Sequence, residues 1–256
     1  EEKPLTRFFI KVRPYFRRKV SHYVYVSETS AQHHFAVGYP HHNAEVIPNG
    51  FDIDRFRHDE RVRAEVRAEL GIREEQIVFG SAARFNSNKN QVGLVEALGG
   101  LSASSAVLLM VGREVDGNND ELKRVIDARG LKDRVILLGE RSDMTRLMNG
   151  MDVYVSASKW GESFPLVLGE AMATQVPCIS TDLGDCRDIV GDTGRVVRPD
   201  DVSALREAMA AMCALTPEAR ADLGRKARWR VEENYNLDRI ADRYLEVCRE
   251  VARKRA

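Results

Sequence analysis

The 256-residue sequence is poor in cysteine and has no excess charge of either sign. No CxxC pair or His/Cys metal spacing occurs among its four cysteines, so we expect a reducing, cytoplasmic environment; they are Cys178, Cys186, Cys213 and Cys248. The formal net charge of +0 argues against bulk binding of nucleic acid, since neutralising phosphates needs a basic surplus. No apolar run approaches the length of a transmembrane helix.

The motifs of several large ligand-binding and enzyme classes are also missing. There is no GxGxxG after the first strand of the regular region, no GxxxxGK[ST] and no GxSxG, which disfavours ordinary dinucleotide-binding, P-loop and serine-hydrolase functions. All six histidines precede residue 60, and their spacing does not suit a metal on one helix face, so we predict no metal site; they are His22, His33, His34, His41, His42 and His58.

From about residue 77 onward, short β-rich apolar runs alternate with amphipathic segments of helical period. The six runs cover 77–83, 106–112, 135–139, 152–158, 177–181 and 194–199. This alternation predicts an α/β fold, a Rossmann-like doubly wound parallel sheet, and Cys178 should be a small core residue within it. The tail, from about 201 to 254, predicts helices only.

The first 46 residues predict the end of a different α/β unit. A strand is expected over 20–27, a helix over 28–38 and a short strand and turn over 45–50, with a linker over 51–60. Position 1 is not methionine, so we suspect a piece of a longer protein. The basic, aromatic segment 7–19 predicts at most weak peripheral contact with the inner face of a membrane, and a solvated helix face is the simpler alternative.

Two polar loops fall at the carboxyl ends of the first and fourth predicted strands. With the common strand order 3-2-1-4-5-6 these strands are neighbours, and ligands of open α/β sheets bind at that switch point. The first loop carries Arg84 and Lys89 before a helix, an arrangement that favours an anion such as phosphate. The alternative for this loop is a surface with solvated charges.

The second loop, 158–165, leads into a helix that carries a second acidic residue. Pro165 is expected near the first helical position, with Ser163 as the cap. Glu170 would lie roughly 7 Å further along the helix axis, about the offset from a diphosphate to a ribose. Glu162 would lie on the other side of the phosphates. The alternative for Glu170 is a helical residue paired with a nearby cation.

Several motifs in order give the chain a family resemblance. They are VIPNGFDIDRF (46–56), AARFNSNKN (82–90), LLGERSDM (137–144), the Glu-x7-Glu segment ESFPLVLGEAMA (162–173) and VPCISTDLGDCRDIVGDTGRVVRPDD (176–201). Over about residues 20 to 250 the chain resembles the retaining glycosyltransferases of the GT-B fold, family four (glycosyl transferases group 1).

The resemblance implies a site for a nucleoside diphosphate sugar of the UDP, GDP or ADP type, bound without a metal or other cofactor. Arg84 and Lys89 would bind the diphosphate, Glu162 the sugar hydroxyls and Glu170 the ribose, and Arg84, Lys89 and Glu162 form the predicted catalytic set. The remaining donor contacts would come from backbone at the base-binding loop and the start of the helix, namely Gly139, Glu140, Arg141, Ser142, Ser163, Phe164, Pro165 and Leu166. Pro165 stands where the family commonly has glycine.

The same resemblance implies three regions. Residues 1–46 would be the end of an amino-terminal acceptor domain that is otherwise missing, 47–235 the nucleotide-sugar-binding domain and 236–256 a C-terminal helix. The expected reaction transfers a sugar to a glycan or lipid-linked acceptor, in bacterial polysaccharide or glycolipid synthesis, and the truncated chain alone is expected to be inactive. The alternative is a non-catalytic nucleotide-sugar-binding module or split subunit. A sugar epimerase or phosphorylase of the same fold is disfavoured, because the catalytic residues of neither are found.

Overall fold

A computed structural model describes residues 20–254, together with positions 8 and 12. The basic segment over 7–19, on which the membrane prediction rests, therefore lies outside the described residues apart from those two positions. In the described part of the chain, no helix has both the length and the apolar character needed to cross a bilayer.

Six parallel strands form the central sheet, namely β3 (Ile77–Ala82), β4 (Ala106–Val111), β5 (Val135–Leu137), β6 (Val153–Ser156), β7 (Cys178–Thr181) and β8 (Arg195–Val197). Their order in the sheet is β5-β4-β3-β6-β7-β8. The predicted doubly wound α/β fold and its strand order are confirmed. All six residues of β4 are buried, as expected for a strand covered on both faces.

Helices connect these strands and cover both faces of the sheet. The crossover helices are α3 (Gln91–Gly99), α4 (Asp120–Ala128), α5 (Met144–Asn149), α6 (Leu166–Ala173) and α7 (Cys186–Val190), and the tail forms α8 (Val202–Cys213), α9 (Pro217–Asn234) and α10 (Leu237–Arg253). One apolar layer includes Leu94 of α3 and Met209 of α8. The other includes Met172 of α6, Val231 of α9 and Cys178, which is buried as predicted.

The head forms a small α/β unit of β1 (Tyr23–Tyr25), α1 (Glu28–Ala36) and β2 (Ala44–Val46), with the two strands parallel. Helix α10 lies against this unit, where Arg243 donates to the Glu45 carboxylate at 3.0 Å and to the carbonyl of Val46 at 2.9 Å. The division of the chain into domains at residues 46 and 235 stays a prediction.

The segment predicted as a linker is irregular but firmly held. The amide of Phe51 donates to the carbonyl of Tyr235, and Arg228 donates to the carbonyls of Ile53 and Phe56. The segment ends in α2 (Glu60–Glu69), for which we predicted no element. Asp59 caps this helix by accepting from two backbone amides.

Candidate functional site

The two polar loops lie side by side because β3 and β6 are neighbours in the sheet, with Gly80 opposite Tyr154. Direct hydrogen bonds join the loops. The amide of Lys159 donates to the carbonyl of Asn88 at 2.7 Å, and the side-chain amide of Asn88 donates to the carbonyl of Trp160 at 3.3 Å. The sheet edge therefore holds both loops as one surface.

The Lys89 ammonium and the Glu162 carboxylate are in direct contact across this surface. Only 10% of the Glu162 side chain is exposed. The Ser158 hydroxyl also donates to Glu162 at 2.6 Å, and Thr181 fixes Ser158 by donating to its carbonyl at 2.8 Å. A nearly buried carboxylate thus has a cation and a hydroxyl as partners, which offset its loss of hydration.

Helix α6 begins at Leu166, four residues after Glu162, with no side chain capping its first turn. Pro165 itself occupies the capping position. The expectation that Ser163 caps this helix is wrong, because its hydroxyl hydrogen-bonds instead to the Ser27 hydroxyl at 2.7 Å. The amides at an uncapped helix start retain their donor capacity and a partial positive charge, so this end favours an anion.

Ser163 also belongs to the contact that docks the head on the sheet domain. The Asp185 carboxylate accepts from the amides of Glu28 and Thr29 at 2.9 and 3.2 Å, beside Ser27, which caps α1 by accepting from the amide of Ser30. Asp185 is buried, and the amide of Asp185 donates to the carbonyl of Ser163. The loop with Glu162 and Ser163 is thereby fixed between the two parts of the chain.

Arg84 is exposed and lines a separate pocket of about 390 Å³, together with Glu140 and Arg141. Two features fix the backbone at Arg84. The Gln91 side-chain amide donates to its carbonyl at 2.8 Å. Gly112, at φ +147°, lies so close that a Cβ there would be 2.0 Å from the carbonyl oxygen of Ala83.

The loop predicted to contact the base follows β5 and forms one wall of this pocket. Gly139 is buried and its carbonyl accepts from the amide of Gly112 at 2.8 Å, which joins the loop to the end of β4. The Arg141 guanidinium forms two hydrogen bonds with Asp143, which raise the pKa of Arg141. Ser142 is exposed.

The residues around the start of α6 divide by exposure. Phe164 is buried between Phe51 and Tyr235, so only its backbone is positioned for a ligand, whereas Leu166 is exposed. Glu170 is half-buried, and burial raises the pKa of its carboxyl, with Arg55 acting in the opposite direction. No salt bridge of Glu170 is found among the described residues.

The spaces along this edge follow one another. The Arg84 pocket and a small cavity of about 40 Å³ beside Lys89 and Glu162 share Ala82 and Ala83. The described residues contain no group of three or more His, Cys, Asp or Glu side chains placed to hold a metal ion. The edge thus combines an exposed arginine, a lysine and an uncapped helix start, which together suit a diphosphate.

Comparison with known proteins gives the family. The model for glycosyl transferases group 1 matches residues 62–230, well over half of the chain. The chain belongs to this family. One similar protein is the N-acetyl-alpha-D-glucosaminyl L-malate synthase of Bacillus anthracis. It is 28% identical over 205 residues, which are 78% of this chain and 52% of that enzyme.

Two further proteins are similar to this group 1 chain. The UDP-Gal:alpha-D-GlcNAc-diphosphoundecaprenol alpha-1,3-galactosyltransferase of Escherichia coli is 26% identical over 215 residues, 79% of this chain and 54% of that enzyme. Anabaena Alr3699/HepE, solved in complex with UDP, superposes with a TM-score of 0.85 at 25% identity, covering 91% of this chain and 65% of that one. The chain spans about half the length of the two enzymes matched by sequence.

Several residues that shape the site were not predicted as part of it. Ser158 hydrogen-bonds to Glu162 and Gln91 to the Arg84 backbone. Ser27 and Asp185 join the head to the loop that contains Glu162 and Ser163. A hydroxyl after β6 and an Asn-Gln pair at a helix start are visible in the sequence. Their partners are not, because these contacts join residues far apart in the chain.

Proposed function

We propose that this chain is the donor-binding half of a retaining glycosyltransferase of bacterial polysaccharide or glycolipid synthesis. It would bind a nucleoside diphosphate sugar at the carboxyl edge of the sheet, for transfer of the sugar to an acceptor hydroxyl. The observation that carries this proposal is the contact of Lys89 with Glu162 at the uncapped start of α6, next to the Arg84 pocket.

The arrangement suggests how the donor lies. The base would occupy the Arg84 pocket, the diphosphate would meet Arg84, Lys89 and the first amides of α6, and the ribose hydroxyls would reach Glu170. The attached sugar would lie beside Glu162. The names of two similar proteins include UDP or UDP-Gal, which makes UDP the first nucleotide to test.

In the proposed reaction, the bond between the anomeric carbon and the diphosphate oxygen breaks while the acceptor oxygen bonds to that carbon from the same face. The acceptor proton passes to the departing phosphate oxygen. Arg84, Lys89 and the helix-start amides stabilise the charge that develops on the diphosphate, and binding holds the reacting atoms together. Arg84 and Lys89 would neutralise the diphosphate, so we propose that the reaction needs no divalent metal, and EDTA should leave UDP affinity unchanged.

Calorimetry with UDP, GDP and ADP tests the proposal and identifies the base. Arg84→Ala and Lys89→Met should each weaken binding of the preferred nucleotide by about tenfold, as expected for about 1.4 kcal/mol lost from a charge-assisted contact. Arg124→Ala and Lys132→Ala, exposed cations distant from this edge, are the controls. If no nucleotide binds, or if site and control variants behave alike, the proposal fails.

A second candidate function is a nucleotide-sugar-binding subunit that works with a separate acceptor-domain chain. It would use the same donor site, with the acceptor domain supplied by another chain. A coding sequence directly upstream for a further domain of about 100–150 residues would favour one longer enzyme. An upstream stop codon, with nucleotide binding retained, would favour the separate subunit.

A further inference from the structure

A cleft of about 710 Å³ separates α1 from the loop that carries Glu162. One wall is the face of α1 with Thr29, Ser30 and His33, and the opposite wall is the Trp160–Ser163 segment. The volume falls within the ~300–1,000 Å³ typical of small-molecule pockets. Neither the diphosphate nor the base contacts proposed above use this space.

The walls of the cleft are held together at one end. The Ser27–Ser163 hydroxyl pair and the Asp185 carboxylate fix the first turn of α1 to the sheet domain. Further along α1, Val37 is 44% exposed and lines the same space. The cleft is therefore closed beside Ser163 and accessible near Val37.

Trp160 lies exposed on the wall opposite α1, with 51% of the residue accessible to solvent. The backbone beneath it is fixed, since the Asn88 side chain donates to the Trp160 carbonyl and the next residue, Gly161, has φ +80°. A solvent-exposed aromatic ring does not contribute the free energy that burying its apolar surface would give. Exposed apolar surface of this kind marks binding sites.

The cleft suits a neutral sugar ring better than an anion. The two carboxylates that line the cleft are already paired with cations, since Glu162 contacts Lys89 and Asp182 pairs with Arg187 at 2.5 Å. What remains is the indole, which stacks on the C–H face of a pyranose, and across from it two histidines and the hydroxyls of Thr29 and Ser30, which are groups that hydrogen-bond sugar hydroxyls.

Glu162 is the wall shared by this cleft and the small cavity beside Lys89, whereas the Arg84 pocket shares no residue with the cleft. Along the edge the order is thus Arg84 pocket, Lys89 cavity, Glu162, cleft. We infer that the cleft binds a pyranose ring of the acceptor, with Trp160 as the stacking platform and His33 as a hydroxyl partner. This inference rests on the proposed function, because it places the acceptor beyond the donor's diphosphate.

The chain contains two tryptophans, which makes the inference directly testable. Trp229, on α9, is 64% exposed and lies outside the cleft lining, so it serves as the matched control. Trp229→Phe leaves Trp160 as the only indole, and Trp160→Phe leaves Trp229. Each variant is titrated with the methyl α-glycosides of glucose, galactose, mannose and N-acetylglucosamine, with and without UDP.

We expect at least one glycoside to change the emission of Trp160 saturably, with Kd in the ~1–10 mM range, and none to change that of Trp229. Ligand-observed NMR should show the same glycoside bound about fivefold more weakly by Trp160→Leu and about threefold more weakly by His33→Ala. UDP affinity, measured by calorimetry on the same variants, should stay within twofold.

Three results would overturn the inference. The first is that no glycoside changes the emission of Trp160 at concentrations up to ~100 mM. The second is that Trp160→Leu binds the glycoside as tightly as the wild type does. The third is that UDP-sugar displaces the glycoside, which would mean that the glycoside occupies the place of the donor sugar. Loss of the glycoside response with normal UDP binding refutes only the acceptor cleft. Failure of UDP to bind refutes the proposed function, and the glycoside titration without UDP still decides whether the cleft binds sugar.

Discussion

Replacing Glu162 with glutamine should tighten the binding of UDP, although Glu162 belongs to the proposed donor site. The carboxylate contacts Lys89 in this structure, so a bound diphosphate must share that cation with a nearby negative charge. Glutamine preserves the shape of the side chain, and its carbonyl oxygen can still accept from the Ser158 hydroxyl. The substitution removes the competing charge and leaves the loop in place.

The size of the effect follows from the repulsion that is removed. Two unit charges ~6 Å apart repel by about 0.7 kcal/mol in bulk water and by about 2.8 kcal/mol at an effective dielectric of 20. The Glu162 side chain is only 10% exposed, which favours the upper part of that range. Some of the gain is offset because Lys89 loses the partner that orients it. We therefore expect UDP to bind about tenfold more tightly, which is about 1.4 kcal/mol.

Calorimetry with UDP at two salt concentrations measures this, since part of the gain should be lost at higher ionic strength. Glu121→Gln, an exposed carboxylate on α4, is the matched control and should leave the affinity unchanged. In the complete enzyme, Glu162→Gln should lower the transfer rate, because the proposed sugar contact is lost. If Glu162→Gln weakens UDP binding without unfolding the protein, the carboxylate supports the phosphate site rather than competing with it, and the reasoning is wrong.

Three further perturbations test other parts of the structure. Gly112→Ala should weaken UDP binding by about tenfold, which corresponds to ~1.4 kcal/mol, because the added Cβ would force the Ala83 backbone and the adjoining loop to shift. Gly117→Ala is the control and should leave the affinity unchanged, since the space around Gly117 is open. Equal UDP affinities of the two variants in calorimetry would contradict this. For Glu170, burial raises the pKa of the carboxyl above its ordinary 4.5, so its contribution to stability is full below that pH and is lost as pH rises through the folded-state pKa. Glu170→Gln should thus melt at a higher temperature than wild type at pH 7 and at nearly the same temperature at pH 4, and a melting curve series with the opposite trend would refute the assignment. Asp185→Ala should cost about 1 kcal/mol of α1 stability, because it removes the acceptor of the Glu28 and Thr29 amides and leaves only the Ser27 cap. The loss should appear as faster hydrogen exchange of the amides in 28–36 and unchanged exchange in α4; uniform exchange across both helices would show that the contact does not hold α1.

The fold class follows from local features of the sequence, and the place of the site follows once the common strand order is assumed. Runs such as AVLLMV at β4 are apolar on both faces, which only a strand covered by helices on both sides satisfies. Helical segments between such runs indicate parallel crossovers, and the common strand order makes β3 and β6 neighbours, as they are in the structure. That is why the sequence alone predicts that the loops with Arg84, Lys89 and Glu162 share one edge.

The partners of the side chains were decided only by the tertiary structure. From the sequence Ser163 is a good cap for α6, yet in the fold it bonds to Ser27, 136 residues away, and Asp185 accepts from the first two amides of α1. Local spacing encodes periodicity and turns, because those depend on near neighbours along the chain. The cation that pairs with Glu162 and the surface opposite Trp160 depend on how segments distant in the sequence pack together. This packing depends on contacts throughout the folded chain, which local spacing does not encode.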